Sequence, residues 1–341
     1  MMMGETAKNS GIVMSSRIRL ARNLNEYPFP LRMNNVQAGE IINKMKKIIS
    51  ESGMEELQNF LFVHMQDLGD IDKQVLVEKH LISPDLAANK KDSAAIISRD
   101  EKISIMINEE DHLRIQVIYQ GMKLADALKL GNKIDDLIAK KSNYAFSSNY
   151  GYLTCCPTNI GTGLRASVMM HLPALVMTGY IKKILEVCNK LNMAVRGIYG
   201  EHSSALGNMF QVSNQVTLGQ TEEEIVTGIT NAAMQIIEQE AAVRNELYNQ
   251  NTVAFEDKIW RSFGLLTNAR VLTTDESLNL ISDVRLGIDM GIIKDVKMEK
   301  IDQIMLLIQP ASLQKFVGRQ ISPIERDVKR AELIRQKIFE S

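Results

Sequence analysis

The chain has 341 residues, 45% of them hydrophobic and 24% charged, and its formal net charge is −1 at pH 7. This length favours two domains, and this composition is typical of a folded soluble protein. Because 40 basic side chains nearly balance 41 acidic ones, the chain as a whole creates no field that would recruit nucleic acid or an anionic membrane. Any anion-binding site must therefore be local.

The three cysteines, Cys155, Cys156 and Cys188, have neither a metal-ligand spacing nor the even number of a disulfide framework. The first ten residues are polar and lack the apolar core of a signal peptide. No window approaches the roughly 18 consecutive apolar residues of a membrane span. We therefore expect a reduced, cytoplasmic protein without a membrane partner.

The first part of the chain alternates between helical and strand periodicity. Residues 36–52 and 122–141 carry apolar stripes at helical spacing, so each predicts a helix. Residues 94–98 and 103–107 are short apolar runs separated by charged residues, which predicts a β-hairpin. Residues 113–119 alternate apolar and polar side chains, which predicts a third, half-buried antiparallel strand.

The middle of the chain carries mixed signals. Residues 144–155 are strand-like with turn residues among them. Residues 164–172 and 179–191 predict helices, and residues 193–199 and 209–218 predict two more strands.

Beyond residue 220 the signals become helical. Thr221 and Glu224 have the spacing of a capping box and predict the start of a long helix that runs through about Leu247. Composition changes at about residue 248, and the polar residues 248–251 are a plausible linker. After them the chain shows almost no strand signal and four helical stripes, at residues 253–266, 276–290, 300–307 and 324–338.

These elements predict an α+β fold. We expect an antiparallel β-sheet flanked by helices in residues 1–248, followed by an all-α C-terminal domain in residues 249–341. The chain shows no internal repeat and no low-complexity tract.

The segment Cys155-Cys156-Pro157-Thr158-Asn159-Ile160-Gly161-Thr162-Gly163-Leu164-Arg165 sets a thiol, small turn residues and an arginine before the helix expected at 164–172. Such a loop can direct backbone N–H groups towards an anion, and an arginine in the first turn adds charge. A thiol near a helix N-terminus and an arginine ionises easily. These features indicate a phosphate-binding active site, although a Gly-Thr-Gly turn before a helix is also an ordinary connection.

Four further features share this theme. Ser15-Ser16-Arg17-Ile18-Arg19 places two arginines on one face of an extended segment, and residues 108–114 (Asn-Glu-Glu-Asp-His-Leu-Arg) crowd three carboxylates before an arginine. The others are residues 196–202 (Arg-Gly-Ile-Tyr-Gly-Glu-His) and, more weakly, His80. Arginine is well suited to bidentate phosphate contacts, and the chain has no glycine-rich Walker loop and no protein-kinase signature. A nucleoside triphosphate would therefore be held by arginines.

Each feature alone has an ordinary structural explanation, such as a solvated strand face for Arg17 and Arg19 or a polar turn for residues 108–111. Their joint occurrence in this order resembles the guanidino (phosphagen) kinases, which include creatine and arginine kinases. The resemblance spans about residues 11–220. Only fourteen residues precede Ser15, so we expect the small helical N-terminal domain of phosphagen kinases to be missing, and the chain beyond Glu201 is longer than theirs. Both departures resemble the bacterial protein-arginine kinase branch of the family.

The resemblance implies a set of site residues. Glu110 and Glu201 would be the catalytic carboxylates that grip the guanidinium and accept its proton, and Cys156 would be a thiolate beside it, with Cys155 pointing elsewhere. ATP would bind with Mg²⁺ between its β- and γ-phosphates, and the metal would have no dedicated protein ligand. The implied nucleotide-binding residues are Ser15, Ser16, Arg17, Ile18, Arg19, His80, Arg114, Arg165, Ala166, Ser167, Val168, Met169, Arg196, Gly197, Ile198, Tyr199 and Gly200.

The segment Arg326-Asp327-Val328-Lys329-Arg330-Ala331 matches the Arg-Asp-x-x-Arg-Ala motif by which that branch binds phosphoarginine allosterically. The implied contacts are Arg326, Asp327, Arg330 and Ala331. The alternative is a plain amphipathic helix with Val328, Ala331, Ile334 and Ile338 facing inward.

The implied activity is ATP-dependent phosphorylation of arginine side chains in proteins, which would mark them for Clp-type degradation under stress. The resemblance also implies a zinc-binding activator protein, a Clp chaperone–protease and self-association as partners. Two alternatives remain open: a free-arginine kinase, and a phosphoarginine-binding adaptor whose catalytic half is vestigial. The presence of Glu110, Glu201 and Cys156 argues against the adaptor.

Overall fold

The computed structural model of the chain describes residues 11–197 and 205–340. Within these residues the chain forms ten strands and twelve α-helices. The strands are β1 Val13–Arg22, β2 Leu61–His64, β3 Ala94–Ile97, β4 Ile103–Ile107, β5 Leu113–Gln120, β6 Phe146–Ser147, β7 Gly151–Tyr152, β8 Leu164–His171, β9 Met193–Gly197 and β10 Met209–Asn214. The helices are α1 Asn35–Ser50, α2 Asp70–Glu78, α3 Pro84–Ala88, α4 Leu124–Ala139, α5 Pro173–Met177, α6 Ile181–Lys190, α7 Glu222–Gln250, α8 Thr252–Asn268, α9 Thr274–Asp289, α10 Met298–Leu307, α11 Pro310–Val317 and α12 Pro323–Phe339.

Eight strands form one sheet in the order β2-β3-β4-β5-β1-β8-β10-β9, and β6 and β7 form a separate two-stranded hairpin. The pairs β2–β3, β3–β4, β4–β5 and β1–β5 are antiparallel. Arg19 of β1 lies opposite Gln116 of β5, and Ala21 lies opposite Arg114. The predicted α+β class, with an antiparallel sheet, flanking helices and a helical C-terminal region, is confirmed.

The chain divides into two compact units. The first, which we call the sheet unit, comprises Ser15–Val168 and Ser213–Asn231. The second, which we call the helical unit, comprises, among the described residues, 11–14, 169–197, 205–212 and 232–340. The domain division at residue 248 stays a prediction.

Elements with strong local signals are where the sequence places them. The hairpin of β3 and β4, the third strand β5 and helices α1 and α4 are all present. The capping box of α7 is also present: Thr221 Oγ1 accepts a hydrogen bond from Glu224 N, and Glu224 Oε2 accepts one from Thr221 N. Helices α2, α3, α5 and α11 and strand β2 are too short to carry a strong periodic signal, and the sequence does not predict them.

The helix predicted at residues 164–172 is wrong, because this segment is strand β8. Leu164, Ala166, Val168 and Met170 are fully buried, and the partly exposed Arg165 and Met169 lie between them at strand spacing. β8 lies between β1 and β10 inside the sheet, and its polar residues Arg165, Ser167 and His171 share the face opposite the buried apolar side chains. Arg165 therefore lies on a strand and not in the first turn of a helix.

The linker expected at residues 248–251 is also wrong. Helix α7 continues to Gln250, and Asn251 caps the next helix by accepting a hydrogen bond from Ala254 N. Tyr248 is held in place because its ring packs on Phe255 at 5.9 Å and its hydroxyl donates to Glu256 Oε1.

The helical unit has its own apolar core, built from buried side chains of α8 to α12 such as Ile259, Ile281, Leu313 and Ile334. In the described ranges, no helix is both long enough and apolar enough to cross a membrane.

Candidate active site

Four arginines meet on one face of the sheet unit. Arg17 and Arg19 alternate along β1 with side chains that are fully buried on the opposite face. Burial, followed by the charges of Arg165 and Arg114, lowers the pKa of Arg17 to about 10. The same causes, together with the charge of Arg17, lower the pKa of Arg19 well below its usual range. The positive charges of these arginines repel one another and so lower the pKa values of Arg17 and Arg19. A multiply charged anion that binds here would offset this repulsion.

His80 lies beside this arginine face. Its backbone is in the left-handed region at φ 59°, and its carbonyl accepts a hydrogen bond of 2.8 Å from Gln116 Nε2. Burial, and secondarily the charge on Arg17, lower the pKa of His80 to about 4. The imidazole is therefore neutral at pH 7 and adds no charge to the face.

Two consecutive carboxylates share Arg114 and differ in their surroundings. Glu109 is buried, and its Oε1 accepts hydrogen bonds from Arg114 Nη1 at 2.7 Å and from Ser83 Oγ at 2.5 Å. Glu110 is more exposed, and its Oε2 accepts from Arg114 Nη2 at 3.2 Å. Burial raises the pKa of Glu110 although Arg114 opposes the shift. Glu109 thus anchors the arginine, while Glu110 is a carboxylate with raised basicity at the surface of the site.

A cavity of about 130 Å³ lies between these groups and the loop at residues 155–163, which we call the cysteine loop. Because strands β1, β5 and β8 are adjacent or nearly adjacent in the sheet, residues far apart in sequence line the same space. The lining residues are Arg19, Ala21, Glu110, Arg114, Cys156, Thr158, Asn159, Gly163 and Arg165.

The two neighbouring cysteines have different environments. Cys156 lines the cavity, precedes the short 3-10 turn Pro157–Asn159 and has its Sγ 3.0 Å from Thr158 Oγ1. Cys155 is absent from the cavity lining, and its backbone N–H donates to Asp111 Oδ1 at 2.7 Å. Burial, followed by the charge of Asp111, raises the pKa of the Cys155 thiol to about 12.

Iodoacetamide at pH 8 should therefore leave Cys155 unmodified, because a thiol with a pKa near 12 is almost entirely protonated and the thiolate is the nucleophile. Cys156, which lines the cavity, should be alkylated first. Mass spectrometry of the peptide that holds both cysteines checks this, with Cys155→Ser and Cys156→Ser as matched controls. Label on Cys155 in the Cys156→Ser variant would contradict the assignment.

A buried hydrogen-bond network connects the turn at residues 108–111, which carries the three carboxylates, to the cysteine loop. Asp111 Oδ1 accepts from Asn23 Nδ2 at 2.6 Å as well as from the backbone of Cys155. Asn23 Oδ1 in turn accepts from His112 N at 2.9 Å. One carboxylate thus sets the position of Glu110 and of the two cysteines together.

Thr217 holds the far end of the loop. Its Oγ1 lies 2.6 Å from Ile160 O and 2.9 Å from Thr158 O, and its carbonyl accepts from Thr162 N at 3.1 Å. Gly161 has φ 113°, and a Cβ there would lie 2.3 Å from Thr217 O, so only glycine fits this approach.

Arg22, at the end of β1, also holds the cysteine loop in place. Its Nη1 donates to Thr162 O at 2.9 Å, its Nε and Nη2 bind the carboxylate of Asp135, and its guanidinium lies 3.5 Å from the centre of the Tyr152 ring. A Cβ on Gly163, which has φ 64°, would lie 2.7 Å from Arg22 Nη1.

The structure does not bring every predicted residue to this cavity. The side chains of Ile18, Ala166 and Val168 are fully buried, and Ser16 Oγ donates to Gly121 O. Ser15 and Ser167 line no part of the cavity. Met169, Gly197 and the exposed Arg196 belong to the helical unit. Ile198, Tyr199, Gly200 and Glu201 lie outside the described residues.

In the helical unit, Arg330 is 1% exposed and is engaged by its surroundings. Its Nε donates to Ile308 O at 2.9 Å, and its Nη1 donates to Leu272 O at 2.9 Å and to Asp327 Oδ1 at 2.5 Å. Ala331 is fully buried, whereas Arg326 is partly exposed. The inward position expected for Val328 is wrong, since its side chain is 41% exposed.

Comparison with known proteins assigns both parts of the chain. The profile of the ATP:guanido phosphotransferase C-terminal catalytic domain matches residues 40–243, and that of the protein-arginine kinase McsB C-terminal domain matches residues 252–341.

Among solved structures, the duplicated taurocyamine kinase of Schistosoma mansoni with bound transition state analog components is similar with a TM-score of 0.62 and 26% identity. That match covers 72% of this chain and 35% of the duplicated one. Lombricine kinase, at a TM-score of 0.60 and 22% identity, shares the fold over 70% of this chain and 68% of its own.

Curated relatives match over nearly the whole chain. Protein-arginine kinase of Caldanaerobacter subterraneus subsp. tengcongensis is 52% identical over 323 residues, which are 95% of this chain and 96% of that protein. The enzymes named protein-arginine kinase in Brevibacillus brevis and Bacillus subtilis are 48% and 47% identical, covering 97% and 98% of this chain and 92% of each relative. The chain therefore belongs to the ATP:guanido phosphotransferase family and, within it, to the protein-arginine kinases.

Proposed function

We propose that this protein-arginine kinase takes the γ-phosphoryl group from ATP, with Mg²⁺, and transfers it to the guanidinium of arginine side chains in proteins. The observation that carries the proposal is the cavity in which Arg19, Arg114 and Arg165 meet Glu110 and Cys156. The three arginines suit a polyphosphate, and Glu110 and Cys156 suit a cationic acceptor.

The arginines would hold the phosphates. Arg17, Arg19 and Arg165 repel one another and lose hydration, and a bound triphosphate would relieve both costs through charge-assisted hydrogen bonds. They would also neutralise the charge that spreads over the phosphoryl oxygens during transfer. Arg196 and the backbone at residues 197–200 are included in the proposed nucleotide site on sequence grounds alone.

The acceptor side must remove a proton. A guanidinium has a pKa above 12 and is a poor nucleophile, so its proton must leave as the N–P bond forms. Glu110, whose pKa is raised by burial, would accept that proton while the bond between the γ-phosphorus and the ADP oxygen breaks. Glu201 would hold the other edge of the guanidinium fork, and the Cys156 thiolate would lie beside it without forming a covalent bond.

Mg²⁺ would bind together with the nucleotide, without a dedicated protein ligand, and would offset the charge of the phosphates. Within residues 11–197 and 205–340, no three side chains of His, Cys, Asp or Glu gather into a metal site.

The wider setting is proposed from the family resemblance. It includes a cytoplasmic location, self-association, an activator protein that binds zinc, and delivery of marked proteins to a Clp chaperone–protease. We also propose that residues 249–341 recognise protein and bind phosphoarginine allosterically at Arg326, Asp327, Arg330 and Ala331. The buried Arg330 would act there by orienting Asp327, to which it donates a hydrogen bond.

The decisive experiment measures transfer from γ-labelled ATP to free arginine and, separately, to an unfolded arginine-rich protein. Acid-labile label on the protein alone is the expected result. Label on free arginine alone would make the protein a phosphagen-type enzyme. Label on neither acceptor, with or without an activator protein, would leave the phosphoarginine-binding adaptor.

Thr217→Val should lower turnover by about 10- to 100-fold, because the carbonyls of Thr158 and Ile160 lose their hydroxyl partner and the cysteine loop shifts. Valine preserves the shape of threonine, so the unfolding midpoint should change much less than turnover. Thr217→Ser keeps the hydroxyl and should retain most of the activity. Equal activity of the valine and serine variants would show that the hydroxyl does not position the loop.

A further inference from the structure

A second cavity of the sheet unit, of about 300 Å³, borders the same cysteine loop. Its walls are the β6–β7 hairpin and the segment that leads into α7, and we call it the hairpin groove. Gly161 and Thr162 of the loop line it, whereas Cys156 and Gly163 line the active-site cavity. The remaining lining residues are Phe146, Asn149, Tyr150, Gly151, Tyr152, Thr217, Leu218, Gly219, Gln220 and Glu222.

The hairpin presents aromatic side chains that the fold does not use for its own core. Phe146 is 61% exposed and Tyr150 is 59% exposed. Their support is rigid: the Phe146 and Tyr152 rings meet edge to face at 5.3 Å, and Tyr152 N donates to Gly161 O at 2.8 Å. Exposed aromatic groups on a fixed frame bind a partner at low entropic cost, since they have few rotamers to lose.

The charge of the groove is opposite to that of the active-site cavity. Among the described residues that line it, Glu222 is the only acidic or basic one, and Glu223 and Glu224 follow it in the first turn of α7. Arg22 is buried and is shared by two carboxylates, because its Nη2 lies 2.8 Å from Asp135 Oδ2 and 3.7 Å from Glu222 Oε1. Glu222 Oε2 also accepts a hydrogen bond from Asn132 Nδ2, so the fold partly offsets the charge of Glu222, and the exposed Glu223 and Glu224 add negative charge beside the groove. An occupant that offers apolar and basic side chains together would be complementary to these walls.

The groove is within reach of a substrate held at Cys156. Gly161 is five positions after Cys156, so their Cα atoms are at most about 18 Å apart. An extended polypeptide advances about 3.3 Å per residue, so four to six residues span this distance. A chain whose arginine is at the active site can therefore place a residue up to six positions away in the groove.

We propose that the hairpin groove binds the unfolded polypeptide that flanks the target arginine, through an apolar or aromatic side chain and a second basic residue. The proposal rests on the proposed function, because it assumes that the acceptor arginine is part of a protein. An unfolded segment is the occupant that exposes apolar and basic side chains side by side. The groove would thus select exposed, unfolded arginine sites without reading a strict sequence.

The test compares two peptides that each contain one arginine. The first carries a phenylalanine and a lysine five and six positions from the arginine, and the second has serine at both positions. The enzyme variants are Phe146→Ser/Tyr150→Ser and, as control, Leu61→Ser, whose side chain is 55% exposed on β2.

In the variant Phe146→Ser/Tyr150→Ser, which we call the aromatic variant, KM for the first peptide should rise by about ten-fold or more, because two exposed aromatic anchors are lost. Its kcat, its KM for ATP and its KM for the serine peptide should stay near those of the unsubstituted enzyme, as should all constants of the Leu61→Ser control. An equal effect on both peptides, or none, would overturn the proposal. So would a change in oligomeric state by light scattering with unchanged peptide kinetics, which would assign the aromatic face to a second copy of the chain.

A binding measurement separates this proposal from the proposed function. Fluorescence anisotropy of the labelled first peptide, without ATP, should show weaker binding to the aromatic variant than to the control. If the unsubstituted enzyme phosphorylates neither peptide, the proposed function fails, and anisotropy still decides whether the groove binds polypeptide. Equal peptide affinities of both variants would refute the groove alone.

Discussion

Glu110→Gln is expected to lower turnover by at least the roughly 10²-fold that is typical of losing a general base. Glutamine keeps the shape of the side chain, and its amide oxygen can still accept the hydrogen bond from Arg114 Nη2. It cannot accept the proton of the guanidinium. The loss should therefore appear in kcat, with little change in KM for ATP, and steady-state kinetics with a protein substrate measures it.

The pH dependence gives an independent check on Glu110. Since burial raises its pKa, the basic form predominates only above that raised value, and kcat/KM should climb with pH through it. The glutamine variant should lose this acidic limb. Glu51→Gln, at an exposed glutamate that pairs with Lys141, is the control and should keep both rate and profile. Near-normal turnover of the Glu110 variant would remove its role as base.

Local patterns predicted the parts of the fold that depend on neighbours in sequence. The capping box at Thr221, the hairpin of β3 and β4 and the alternation of β5 each depend only on residues that are close together in the sequence. The pair Arg17 and Arg19 belongs to the same class, since its alternation with buried residues on β1 requires only an extended chain. Arg114 and Arg165 join this pair only because β5 and β8 flank β1 in the sheet.

The error at β8 shows where such patterns fail. Leu164, Ala166, Val168 and Met170 lie on one face of β8, and Arg165, Ser167, Met169 and His171 lie on the other, so a strand period is present. The run of apolar residues at 168–170 interrupts it, and over eight residues periodicity does not separate a buried strand from a helix. The consequence reached the site. The cysteine loop leads into a strand, so no helix begins at residue 164 beside Cys156.

Residues that position the site could not be found from spacing alone. Asp111 stands within the motif that contains Glu110, but its bond to the Cys155 backbone links segments 44 residues apart. Thr217 reaches Thr158 across 59 residues, and no local pattern marks it. A carboxylate or hydroxyl that is buried against a distant loop shows its role only once the strands are paired.

Arg22 also positions the cysteine loop from a distant part of the sequence, since its partner Thr162 is 140 residues away. Its loss should have the largest effect on stability. Arg22→Leu is expected to reduce the free energy of unfolding by about 3–5 kcal/mol, because the carboxylate of Asp135 would remain buried without its partner. The arginine is 1% exposed, and its stacking on Tyr152 would be lost as well. Urea unfolding followed by far-UV circular dichroism measures the change.

A double variant separates the stability of this pair from its effect on the loop. Arg22→Leu/Asp135→Leu removes both charges of the pair, and replacing a whole buried pair by apolar residues often restores stability. The contact of 3.7 Å between Arg22 Nη2 and Glu222 Oε1 is lost in the single and the double variant alike. Its turnover should nevertheless stay low, because Thr162 O has still lost the hydrogen bond from Arg22 Nη1 that holds the cysteine loop. Recovery of stability and turnover together would mean that Arg22 acts on the fold alone. Recovery of stability without turnover is the outcome that assigns it a role in positioning the active site.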